Sequence, residues 1–316
     1  MSGTARELTR RLRVLVALGL AATAALFFAY RGVHADAVPL SSSSTSGVLA
    51  VDTAKSALGQ AKDVSGTVAE GDVTLGDFTL RISVANQSLA LAAADGVTGL
   101  KGRQTLQTVT GLISVYANWV QNAAVEPIGS PLREAYLSYA DDTLGDPAGA
   151  VTATGDNDYT VVGRLNALQR DQLRVVHRQA AFGPSLWFGW TAAGVLCAAL
   201  LVALTEANSF ARARFRRRWN RPLAGAFALL LAGAAVLAVF TWWTHDGMYH
   251  ARGELSAPQD ESGIPRAGSA VAHAMAGAGF RAAAAGWIVA GGVLLTGLIF
   301  AGLQPRINEY RVRTPR

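Results

Sequence analysis

Val14–Tyr30 reads VLVALGLAATAALFFAY and contains no Asp, Glu, Lys, Arg or His. A helix needs about 20 apolar residues to cross the hydrocarbon core of a bilayer, and this run comes close to that length. Three further runs share the property: Ser185–Thr205, Pro222–Thr244 and Ala282–Pro305. The chain has 316 residues and is 51% apolar, and the apolar surplus is concentrated in these four blocks. A soluble fold of this size would have to bury four helices that are apolar all round, which is rare. The sequence therefore predicts a multi-pass membrane protein.

Arginines crowd the ends of the runs on one alternating side. Arg6, Arg10, Arg11 and Arg13 precede the first run, against the single acid Glu7. Between the second and third runs lie Arg212, Arg214, Arg216, Arg217, Arg218 and Arg221, and after the fourth come Arg306, Arg311, Arg313 and Arg316. The positive-inside rule then places residues 1–13, 206–221 and 306–316 in the cytoplasm, with both termini inside the plasma membrane. Residues 31–184 and 245–281 face outward. The tryptophans give the same orientation: Trp187, Trp190, Trp242, Trp243 and Trp287 all fall at the outer ends of runs, where indole rings favour the headgroup level. The net charge of +6 is thus membrane-flanking. It calls for contact with anionic lipids rather than with nucleic acid. Val33-His34-Ala35 offers a signal-peptidase alternative for the first run. The length of that run, and Arg31 just before the site, favour an uncleaved anchor.

The outward segment 36–183 shows helical periodicity and no convincing strand alternation. Pro39–Gly47 (PLSSSSTSG) reads as a polar break. A weakly amphipathic helix is expected from about Val48 to Ala69. Asp77 stands as a cap before a stripe of Phe78, Ile82, Ala85, Leu89 and Ala92. Leu106, Val109, Ile113, Tyr116 and Val120 form the clearest apolar face. Gly129-Ser130-Pro131 reads as loop, cap and N1 proline ahead of a short helix with Tyr136 and Tyr139. Leu144–Asp158 reads as a loop. Val161, Leu165, Leu168 and Val175 mark a last helix, expected to run through Arg178 towards the second span. The expected fold is all-α: four transmembrane helices with an extracytoplasmic antiparallel helical bundle between the first two. Cys197 is the only cysteine, so no intramolecular disulfide supports that domain.

No nucleophile–base arrangement or phosphate loop is recognisable, so neither an enzyme nor a cofactor is expected. His245, Asp246, His250 and Glu254 cluster after the third run, but their spacing matches no zinc signature and the expected metal set is none. Arg212, Arg214, Arg216, Arg217, Arg218 and Arg221 form the candidate cytoplasmic contact, facing lipid headgroups or an acidic partner. Ala282, Gly286 and Ala290 recur at a spacing that suits close helix packing, within the chain or in a homodimer. The span centres carry no ionisable group, which argues against transport. Arg81, Lys101, Arg103 and Arg133 are available to contact a ligand carboxylate, and sequence alone does not bring them together.

Several stretches carry a resemblance. They are Gln104–Gln121 (QTLQTVTGLISVYANWVQ), Ala135–Leu144 with Leu165–Gln172, Arg216–Leu223 (RRRWNRPL) and Leu303–Arg311 (LQPRINEYR). With the layout of spans, they resemble the actinobacterial GlnX-type four-span membrane proteins, encoded beside a glutamine-binding lipoprotein (GlnH) and a PknG-type kinase. The resemblance implies a relay from an extracytoplasmic solute-binding protein, reporting amino-acid status, to a cytoplasmic kinase pathway. The segment His245–Arg281 is shorter than that family leads one to expect. Two other readings are a direct small-ligand sensor of four-helix type and an accessory subunit of a transporter or envelope complex.

Overall fold

A computed structural model describes residues 3–70, 75–96, 99–145, 159–215, 221–257 and 262–312. Among the described residues there is no strand. The helices are α1 (Gly3–Pro39), α2 (Thr45–Glu70), α3 (Leu75–Asp95), α4 (Gly99–Val125), α5 (Pro131–Leu144), α6 (Val161–Ala180), α7 (Pro184–Phe215), α8 (Arg221–Ser256), α9 (Gly263–Ala274), α10 (Ala278–Ala283) and α11 (Ala285–Val312). Four helical stretches are long and apolar enough to cross a membrane: Arg6–Thr67, Val161–Phe210, Arg221–Ser256 and Gly263–Pro305. Each contains one of the charge-free runs.

The chain divides into two units. One comprises Met1–Val38, Phe182–Asp246 and Gly277–Arg316. Its core joins Leu15, Ala22 and Leu26 of α1 to Leu200 and Leu204 of α7, Leu223 and Leu230 of α8, and Leu295 and Ile299 of α11. Its exterior is apolar as well: Phe28, Val195, Val202, Trp242 and Val293 are exposed. A contiguous apolar surface of this kind belongs against lipid or another apolar partner. A β-carbon on Gly19 would make ordinary contact with Ile299 at 3.7 Å, and one on Gly189 with Ala29 at 3.7 Å.

The second unit comprises Pro39–Ala181 and Gly247–Ala276. Within it α2 packs on α3, α4 on α5, and α6 against both α2 and α4. Every residue of the two expected stripes on α3 and α4 is buried. On α6, Val161, Leu165 and Leu168 are buried as expected, but Val176 rather than Val175 completes the face. The α5 start also matches: Ser130 caps the helix by accepting from Leu132 N, and Pro131 opens it. Residues 247–276 add α9 to the face of α2, where Gly268 approaches Leu49.

The structure corrects three local readings. Pro39–Gly47 is helical rather than broken, passing through a π-turn at Leu40–Ser44. Serine runs suggest loops because their hydroxyls compete for backbone groups. Here those hydroxyls bond back along the helix instead: Thr45 donates to Leu40 O at 2.6 Å and Ser46 to Ser42 O at 2.9 Å. The wider turn accommodates the missing N–H of Pro39. Asp77 lies inside the first turn of α3, not at its cap. Helix α6 runs through Arg178 as expected; it ends at Ala180, where Ala181 is extended, and Pro184 opens α7. The last apolar run is interrupted at Ala284, so Ala282 belongs to α10 and the rest to α11. The loop expected at 144–158 lies outside the described residues beyond Gly145.

Candidate functional site

Chemistry in the 39–181 part of the chain gathers at two places on α6. The first is a polar seam buried against α2. Asn166, Gln169 and Gln172 recur every three residues, which brings them to one face. Gln169 donates Nε2 to Asp52 Oδ1 at 2.6 Å, and its Oε1 accepts from Lys55 Nζ at 2.9 Å. Gln172 donates to Gly47 O at 3.3 Å, and Gln179 accepts from Ser44 at 3.0 Å. The residue numbers rise along α6 as they fall along α2, so the two helices run antiparallel. Asp52 is only 7% exposed, and its Oδ2 has no partner among the described residues. Burial pushes the Asp52 carboxyl up to about 6, against the opposing pull of the Lys55 ammonium and the Gln169 amide.

The second place is a half-open cleft of about 240 Å³ between α4 and α6. Its lining includes Lys101, Gly102 and Thr105 from α4, and Arg164, Leu168 and Asp171 from α6. Gly102 and Leu168 are buried and form its floor, whereas Lys101 is exposed. Arg164 is half-buried, and its Nε is enclosed without a hydrogen-bond partner among the described residues. Asp171 pairs with Arg174 at 3.1 Å. Lys101 lies in the first turn of α4, where the helix dipole adds positive potential. The cleft is therefore electropositive and carries one carboxylate at its side.

Lys101 is thus the one member of the four candidate ligand cations that joins this cleft, with Arg164 as its unforeseen partner. Arg133 is buried and donates to Glu126 O at 2.7 Å, which ties the start of α5 to the end of α4. Arg164 has no motif around it; only its place three residues after the Val161 stripe position could have suggested it.

In the other unit, Tyr30 donates to Arg281 O at 2.6 Å and stacks on the buried ring of His34, with centroids 3.9 Å apart. Because the partner of His34 Nδ1 is the Tyr30 carbonyl, that nitrogen carries the proton, and in the neutral ring Nε2 accepts from Thr244. Arg11 bonds Glu7 at 3.0 Å, lies 3.7 Å from Glu206, and covers the Phe210 ring at 3.9 Å. Of the candidate contact arginines, Arg212 and Arg214 lie in the last turns of α7, and Arg221 opens α8 exposed. Arg216, Arg217 and Arg218 lie outside the described residues. Gly286 and Ala290 are exposed on α11 and Ala282 is half-buried on α10. Close α1–α11 packing falls at Gly292, which faces Thr23. Among the described residues, no three of His, Cys, Asp and Glu converge on a metal-sized site, and His245 instead meets the edge of Phe182.

No curated protein and no solved structure matches the chain. Residues 30–179 match the model of the family described as an actinobacterial sensor domain, a finding that fits an actinobacterial sensor protein and a sensing or signalling role.

Proposed function

We propose that the chain is a non-enzymatic membrane signal relay whose outward helical domain senses an extracytoplasmic condition and whose spans pass it to a cytoplasmic partner. The observation that carries this reading is the position of the sensor-domain match. It covers residues 30–179, from the end of the charge-free run Val14–Tyr30 to just before the run Ser185–Thr205. The arginine clusters support cytoplasmic placement of both termini and of residues 206–221. The loop 206–221 is too short to hold a kinase, and the output proposed passes to a second protein. In the GlnX-type relay that partner is a kinase pathway, and the outward input is an amino-acid-binding protein. Arg212–Arg221 is the internal surface offered to it. A small displacement of a packed helical domain can be carried by the helices that continue from it. Crosslinking in native membranes followed by co-purification tests the relay. A cytoplasmic partner is expected in the complex, lost when the arginines between α7 and α8 are replaced by glutamine. Recovery of no partner on either face overturns the relay.

A second reading, direct sensing of a small ligand, is favoured by one specific observation: the electropositive cleft between α4 and α6.

A further inference from the structure

We infer that the α4–α6 cleft is a binding site for a small carboxylate, held by Arg164 and Lys101. The inference rests on reading 39–181 as a sensory unit, and it assigns that unit a ligand class. Three observations carry it. Two cations from different helices face one cavity of about 240 Å³ that has a buried floor. The enclosed Nε of Arg164 lacks an acceptor among the described residues, and an enclosed donor without an acceptor calls for one. No ion pair joins either cation to an acid among the described residues, whereas Lys62, Arg11 and Arg174 each have one.

Asp171 decides between carboxylate and phosphate, since a planar guanidinium matches either in a two-point fork. Asp171 at the side of the cleft repels a second negative charge nearby and accepts from a hydroxyl or ammonium on the ligand. The best fit is therefore a small carboxylate that also carries a hydrogen-bond donor.

Isothermal titration of the full-length protein in detergent with propionate, L-lactate and inorganic phosphate tests the assignment. L-lactate is expected to bind saturably and more tightly than propionate, which lacks the hydroxyl. Arg164→Gln and Lys101→Gln should each weaken L-lactate by about tenfold, the usual worth of a lost charge-assisted hydrogen bond. Arg103→Gln, on the exposed side of the same turn, should leave binding unchanged. Circular dichroism confirms that each variant is folded. If neither carboxylate binds, if phosphate binds in their place, or if both cleft variants bind like the wild type, the assignment is overturned. Failure here with a cytoplasmic partner still recovered from membranes removes the ligand class and leaves the relay standing. Saturable L-lactate binding with no partner recovered does the reverse.

Discussion

Gln169 on α6 donates a 2.6 Å hydrogen bond to the buried carboxylate of Asp52 on α2, and no other described group reaches the second oxygen of that carboxylate. Burial holds the Asp52 carboxyl at about 6 in the folded chain. An unfolded Asp titrates near ~3.9. The folded state therefore binds the proton more tightly, so this residue's contribution to stability is greatest below pH ~4 and is lost as pH rises through about 6. Asp52→Asn keeps an acceptor for Gln169 and removes the titration. Its melting temperature should depend less on pH between about 4 and 6 than that of the wild type. At neutral pH the variant should gain on the order of 2 kcal/mol, since two pKa units correspond to that scale. Equal pH slopes for the two proteins would refute the account.

Thr160 and Gly145 hold the start of α6 together. The Thr160 hydroxyl accepts from Gly163 N at 3.0 Å, and a β-carbon on Gly145 would sit 2.8 Å from that hydroxyl oxygen. Gly145 also has φ 81° and ψ −172°, a region open essentially to glycine alone. Thr160→Ala should cost about 1 kcal/mol, the usual value of a lost N-cap. Gly145→Ala should cost more, about 1–3 kcal/mol from backbone strain, with added crowding against Thr160. Urea titrations would rank them, and a Gly145→Ala cost below that of Thr160→Ala would show that the strain argument fails.

Why some of this could be read from sequence and some could not is a matter of range. Phe78 to Ala92 and Leu106 to Val120 announced their faces because helical periodicity is local and each stripe is apolar throughout. Ser130-Pro131 was legible for the same reason, since a cap acts over three residues. The serine-rich turn at Leu40–Ser44 was misread because local preference points to a loop, and only the carbonyls one turn earlier decide otherwise. The seam and the cleft were invisible. Asp52 and Gln169 are 117 positions apart, and neither Lys101 nor Arg164 sits in a pattern that names its partner. The tight α1–α11 contact at Gly292 was not legible either, because which side of an all-apolar helix faces its neighbour is set by the neighbour.

Arg133 was a candidate ligand cation by its charge alone, and the structure gives it a different task. It is 4% exposed, and its guanidinium donates to Glu126 O at 2.7 Å. Arg133→Met keeps the volume and leaves the Glu126 carbonyl without that donor. An expected loss of about 1–3 kcal/mol follows from an unsatisfied buried acceptor. Propionate and L-lactate binding should be unaffected at temperatures where the variant is folded. A variant of wild-type stability that had lost carboxylate binding would return Arg133 to the ligand site.

Thr23 and Gly292 test the packing of the apolar helices directly. A β-carbon on Gly292 would fall 2.8 Å from Thr23 Oγ1 and 3.1 Å from Thr23 Cβ. Thr23 is held in place by its own bond to Gly19 O at 2.8 Å, so it cannot turn away without losing a partner. Gly292→Ala should lower thermal stability in detergent by about 1–3 kcal/mol, as overpacking does. Thr23→Ala alone removes two atoms and one local hydrogen bond, so its effect should be smaller. The double variant should recover most of the loss, because the shorter side chain makes room for the new methyl group. Residues in contact give non-additive effects and distant ones do not. Strict additivity of the two substitutions would therefore mean that α1 and α11 do not meet at this pair.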